Sequence, residues 1–176
     1  AREDSEKSRI VVLNGEMKQI GVAEAVGEGE SMYSSRFVGD RAYLVTFKYT
    51  DPLFTFDLSN PKKPKLLGEL KMPGYSTYIH PYDENHLIGI GVQTEEVVVR
   101  DTQGEIRGSN TYVTGLKMAI FDVTDVNNPK QLSDVTIGDK NTKSPILTNH
   151  KALLFSKEKG IIAIPVNSYS SQITEQ

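Results

Sequence analysis

Two stretches of the chain spell nearly the same phrase. Residues 53–70 read LFTFDLSNPKKPKLLGEL and residues 118–135 read MAIFDVTDVNNPKQLSDV. At one shift of 65 residues, Phe56 falls on Phe121, Asp57 on Asp122, Ser59 on Thr124, Pro64 on Pro129 and Lys65 on Lys130. A phrase that recurs at a fixed spacing restricts the fold to a stack of like units, because each unit buries its apolar face only against a neighbour.

A second element recurs with it. RAYLVTF (41–47), NHLIGIG (85–91) and KGIIAIP (159–165) each place a short apolar run behind a polar turn, GDR, DEN or KEK. Leu44 precedes Leu87 by 43 residues, and Leu87 precedes Ile161 by 74. The unit is therefore polar turn, strand, F-D-[LV]-[ST], Pro-Lys, strand, with 22 residues inserted in its second copy and nine more after it. The first insertion contains EVVVRDTQGEIRGSNTYV (96–113), which reads as an added hairpin around DTQG. A basic period near 43 residues is that of a four-stranded propeller blade.

The local signals agree on strands. Residues 42–47, 53–58, 86–92, 117–123 and 160–166 are short, rich in β-branched and aromatic residues, and bounded by Gly, Pro, Asn or Asp. No window of a dozen residues carries an apolar period of 3.6, so helix is nearly absent. The shared phrase is then a hairpin connection within a blade: Asp57 and Asp122 end a strand and bond the backbone of the turn, Ser59 and Thr124 sit in it, and Pro64 and Pro129 fix φ before the next strand. The extra lysines of PKKPK do not recur in the second copy, which makes them a solvated turn rather than a binding tract.

These readings predict an all-β chain, a partial β-propeller of four-stranded antiparallel blades. Residues 10–166 form the domain, between a charged tail (1–9) and a polar one (167–176). Residues 10–25 read as the outer hairpin of one blade and 146–166 as the inner strands of another, leaving two full blades between two halves. The halves can pair into one composite blade. The remaining open blade faces predict self-association, since apolar sheet faces and edges are costly to leave wet.

Composition removes several function classes. A net charge of −3 with no long block of Lys or Arg supplies no source for nucleic-acid affinity. No apolar run reaches the 18 residues of a membrane span. Absence of cysteine excludes disulfides, thiolate metal sites and thiol nucleophiles. The opening AREDSEKSRIVVLNG has no apolar signal-peptide core, so an export leader is expected to have been removed.

Candidate chemistry is thin. His80 and His86 flank Asp83 and Glu84, a grouping that could bind zinc, but DEN recurs as a turn whose other copies carry no histidine, so no metal is expected there. DVTDVNN lacks the spacing of a calcium loop and reads as turn capping. IGIG (88–91) lies within a strand and is not a dinucleotide loop; its glycines mark strand crowding. His150 reads as a structural histidine. The most suggestive surface is PGYSTYIHPY (73–82), where Tyr78, His80 and Tyr82 alternate onto one face that can stack on a sugar, anchor a peptide or fill the space between blades. No catalytic residue and no cofactor is nominated.

The segments 29–47, 51–81, 86–92, 116–132 and 149–166 together resemble the β-propeller domain of secreted bacterial and archaeal proteins whose C-terminal half is that propeller. Their F-D-[LV]-[ST] units are also similar to the LVIVD-type repeats of surface propellers. The resemblance implies a secreted or cell-envelope location and carries no catalytic residues. Two functions follow from these readings: a binding or scaffolding module for a protein or carbohydrate ligand, and, as the alternative, a hydrolase or lyase assembled around His80, Asp83 and His86.

Overall fold

The computed structural model describes residues 6–47 and 51–168, so the outermost parts of both expected tails lie outside the described residues. Among the described residues twelve strands fall into four antiparallel sheets, each ordered as the chain runs. β1 (Val11–Leu13) and β2 (Gln19–Val22) form a hairpin. β3 (Ser31–Val38), β4 (Arg41–Phe47), β5 (Asp51–Asp57) and β6 (Lys65–Met72) make a first full blade. β7 (Tyr75–Pro81), β8 (His86–Arg100), β9 (Ile106–Asp122) and β10 (Lys130–Ile137) make a second. Two 3-10 turns, Pro145–Leu147 and His150–Ala152, lead to a last hairpin of β11 (Leu154–Ser156) and β12 (Ile161–Ala163). The chain is an all-β partial propeller of two full blades and two halves. Backbone pairing reaches slightly past residues 10–166, because Ser8 bridges Val26 and Asn167 bridges Lys143.

Three apolar layers hold the sheets together. Between the full blades lie Tyr43, Val45, Leu53, Ile79, Leu87 and Phe121, all nearly or fully buried. Ile10, Val12, Ala23 and Val26 of the first hairpin cover Ala42, Leu44, Phe54 and Phe56, on the first blade's other face. Ile146, Phe155 and Ile162 near the last hairpin cover Tyr78, Ile88 and Ile90 on the far face of the second blade. Alternation along β4 sends Tyr43 and Val45 to one face and Ala42 and Leu44 to the other, which is why both faces of one strand read as continuous apolar sequence. β3 lies directly against β7, and the Ser34 hydroxyl donates to the Ser76 carbonyl at 2.8 Å, so the blades converge on their first strands.

The half-blades do not pair with each other. They occupy separate two-stranded sheets on opposite outer faces, the first against β4–β6 and the last against β7–β9. Each has a full blade's apolar face to cover, and that burial places it there rather than beside its complement. Their assignment as outer and inner strands stands. In the first hairpin Asn14 takes the place of Asp57: its Oδ1 accepts from Glu16 N as Asp57 Oδ1 does from Ser59 N and Asp122 Oδ1 from Thr124 N. Residues 12–22 are thus a third, shortened copy of the phrase.

The spacing of the second repeated element also needs correction. Arg41 pairs with Asp57 and His86 with Asp122, while the carbonyls of Asp40 and Asn85 accept from Leu58 N and Val123 N, both at 2.7 Å. Arg41 therefore matches His86, an offset of 45 residues rather than 43. Shifting a strand by two keeps every side chain on its face, so apolar patterning cannot separate the two alignments. The inserted hairpin is not separate either. β8 and β9, 15 and 17 residues long, carry the blade's own ladder on to Arg100↔Ile106 and so form a projecting arm. A register shift at Gln93/Thr94 marks where the arm leaves the blade.

One packing device repeats between units. Gly68 on β6 is where the carbonyl oxygens of Val126 and Asn127 approach, and a Cβ there would sit 2.6 and 2.7 Å from them. Gly21 on β2 receives the Pro61 carbonyl in the same way. In β2 and β6 the outer strand accepts the turn of the next blade, and a missing side chain makes room for backbone. In β8, Gly91 and Gly89 lie against Tyr75, Ser76 and the Phe121 ring, the crowding expected of IGIG.

Candidate functional site

Tyr78, His80 and Tyr82 share the face of β7 that looks toward the last hairpin. Tyr78 is 8% exposed and stacks on His150 with ring centroids 4.5 Å apart, and its hydroxyl lies 3.0 Å from His80 Nδ1. The His80 ring meets Phe155 edge-on at 4.5 Å. Burial, seconded by the Arg36 charge, holds the His80 pKa below its ordinary value, so the ring is neutral near pH 7. Tyr82 remains exposed at the end of the strand, against Phe155, with Lys157 Nζ 4.7 Å from its ring centre. His150 makes ring contact rather than a hydrogen bond among the described residues.

The second cluster lies just beyond, at the turn between β7 and β8. Asp83 Oδ1 is 2.8 Å from His86 Nδ1, and Asp83 Oδ2 is 3.4 Å from Lys157 Nζ. The Asn85 N–H, then His86 and Lys157, lower the Asp83 pKa to about 2. This triplet clips the last hairpin to the second blade. His80 does not join it, being turned to Tyr78. Among the described residues no three His, Asp or Glu side chains are close enough to hold a metal.

The repeated turn is built as a capped bend. Asp57 and Asp122 accept backbone N–H bonds at 2.8 Å from Ser59 and Thr124, which lower both carboxyl pKa values. For Asp57 the backbone bond is the larger cause, and for Asp122 the Thr124 hydroxyl. Pro64 and Pro129 are buried. Asp125 spends its Oδ1 on Asn127 N in the same way.

Two features escaped the sequence. The arm is bare on both faces: Val97, Val98, Val99, Ile106, Tyr112 and Val113 are 41–63% exposed. Consecutive valines point to opposite faces, so the run VVV was the available signal. Opposite the arm's base, Tyr33, Phe47 and Tyr75 form a ring cluster with centroids 4.5–5.8 Å apart, contributed by three strands too distant in sequence to be read together. A groove of about 480 Å³ separates Phe47 and Tyr75 from Thr94, Ser109, Asn110, Thr111 and Val113.

The repeated blades and their turns agree with what this sequence resembles across its length. The sequence model described as "Beta propeller domain" matches residues 1–176. The chain belongs to the beta propeller domain family. An uncharacterized protein of Methanocaldococcus jannaschii is 36% identical over 167 residues, 95% of this chain and 24% of that protein. Another from Archaeoglobus fulgidus is 34% identical over 162 residues, 92% of this chain and 23% of that protein. The chain thus spans about a quarter of the length of these relatives. No solved structure matches it.

Proposed function

We propose that this propeller segment is a non-catalytic binding and scaffolding module of a secreted or cell-envelope protein, and that the β8–β9 arm is its binding element. The arm carries the reading. It adds nothing to the core between the blades, yet it is built as a continuous ladder that leaves Val97, Val98, Val99, Ile106 and Val113 exposed among charged and polar neighbours. Aliphatic side chains bared on both faces of a ribbon gain when a partner covers them. Valines suit a protein surface, whereas a sugar would ask for rings; the partner is therefore a protein. The resemblance to secreted propellers supports the location. No helix among the described residues is long and apolar enough to cross a membrane.

The rival reading is an enzyme assembled around His80, Asp83 and His86, of which Asp83 and His86 pair at 2.8 Å. Cosedimentation separates the two. The 176-residue chain is mixed with cell envelopes from an archaeon carrying a relative, beside a variant in which residues 95–112 are replaced by Asn-Gly. Pelleting of the chain and not of the variant supports the module. Equal behaviour of both, or hydrolase or lyase turnover abolished by Asp83→Asn, overturns it.

Self-association belongs to the same reading. The inner hairpin β11–β12 lacks outer strands, and β1–β2 of a second copy is an outer pair of the required kind. Beside β12 an apolar cleft of about 190 Å³ lies open, lined by Ile88, Met118, Ile120, Val135 and Ile162 among others. The Asn14 turn of a second copy would seat on it as the Val126 turn seats on Gly68.

A further inference from the structure

We propose that the groove between the first strands of the two full blades binds a small carboxylate through Arg36. The register pairs Arg36 with Tyr43, whose ring is buried between the blades, so Arg36 stands on the face of β3 that looks toward β7. Ser34, two residues earlier on that face, spends its hydroxyl on Ser76. Arg36 has no such partner. It is half-buried, and among the described residues its guanidinium forms neither a salt bridge nor a hydrogen bond. A partly buried guanidinium without a carboxylate is unusual, because five directed N–H donors are costly to leave unmatched.

The surroundings are those of an acceptor site for an anion. The groove, about 260 Å³, runs past Tyr33, Ser35, Arg36, Thr77, Tyr78 and His150, and no acidic side chain lines it. In a chain of net charge −3 that is a local exception. Beside the fixed charge the groove is lined by Tyr33, by Thr77, whose hydroxyl is held only by a long 3.5 Å bond to the Ile90 carbonyl, and by His150, whose ring stacks on Tyr78. After burial, the Arg36 charge is the second cause that lowers the pKa of His80.

Chemistry selects the ligand class. A guanidinium fork matches the two oxygens of a carboxylate in one plane, and one permanent positive charge balances one negative charge. A phosphate dianion would leave a charge uncompensated. The hydroxyls and imidazole suit a polar body behind that carboxylate, and the volume admits only a small one. This goes beyond the arm's role and can fail without it.

The test is an amide chemical-shift titration of the ¹⁵N-labelled chain at constant ionic strength, with glucuronate and with N-acetylglycine, and with inorganic phosphate as comparator. Saturable shifts confined to residues 33–36, 77–79 and 150 are expected with either carboxylate. Affinity should fall about tenfold or more in Arg36→Gln, the usual loss for a charge-assisted bond, and measurably in Arg36→Lys, which keeps the charge but loses the fork. The variant's own spectrum reports whether it is folded. Shifts spread over the lysine-rich turns, binding unchanged in Arg36→Gln, or phosphate binding as tightly as the carboxylates would overturn the site. Envelope cosedimentation through the arm with no carboxylate response would sink the groove and leave the module reading standing.

Discussion

Thr55 and Ile120 hold the same place in successive blades, each paired across the ladder with the residue at the Gly68 or Ser133 position. Thr55 is 1% exposed and donates its hydroxyl to the Val126 carbonyl of the next blade at 2.5 Å; Ile120 is 41% exposed. The polar residue is buried and the apolar one is bare. What differs is the neighbour: the first blade has a complete blade against its outer strands, whereas the second has only the inner pair β11–β12. In a propeller the environment of a side chain belongs to the interface, not to the strand that carries it.

The largest expected effects test the sameness of the two blades. Phe56 and Phe121 are equivalent and 0–1% exposed. Phe56→Ala and Phe121→Ala should each destabilise the chain by about 3–5 kcal/mol, measured as urea unfolding midpoints. A large gap between them would mean that the interface with β1–β2 is weaker than the one between full blades. Next comes the difference. Gly68→Ala pushes a Cβ into two carbonyl oxygens and should cost about 1–3 kcal/mol. Ser133→Ala, at the same position facing open space, should stay within about 0.5 kcal/mol. Equal costs would break the argument from neighbours.

Smaller in stability terms is the effect of covering the open outer face. Ile120→Lys should leave the unfolding midpoint nearly unchanged and lower the weight-average mass seen by light scattering at high concentration. A chain that is monomeric throughout, with no dye-accessible apolar surface, would remove the reason for the substitution. The smallest effect concerns acid. Asp83 is lowered from 3.8 to about 2, so its contacts add stability above the unfolded pKa. That stability is lost as pH falls from 3.8 toward 2. Asp83→Asn should flatten this part of the acid limb, and because Lys157 lies on the far side of the contact, the change reports on the inner half-interface alone.

Much of the fold was legible because its signals are local. The Asp57 and Asp122 bends, the buried prolines that follow and the strand boundaries all follow from residues within ten positions of one another. Those signals also gave the outer and inner identity of the half-blades. Asn14 escaped because its turn is four residues shorter than the Asp57 turn and has no proline, so the copy fell outside the shift that aligned the others. The docking of Val126 on Gly68 was illegible for a different reason. A glycine in a strand announces room without saying what fills it. For the sites, Tyr78, His80 and Tyr82 do share a face, and that much is alternation. Their partners His150 and Phe155 arrive from a segment some 70 residues away, as does the freedom of Arg36, which depends on what β7 does not offer.

The β8–β9 arm has a mechanical side. Its ladder runs from His86↔Asp122 to Arg100↔Ile106, so the same two strands that carry the exposed tip also carry Leu87, Ile90 and Phe121 in the core. The part beyond Thr94 extends roughly 20 Å at the usual strand rise. A load applied at Asp101 is therefore delivered along a stiff beam with its fulcrum at the register shift near Gln93, and it turns the middle strands of the second blade against both neighbouring layers. Strain at the tip becomes torque at the blade interfaces.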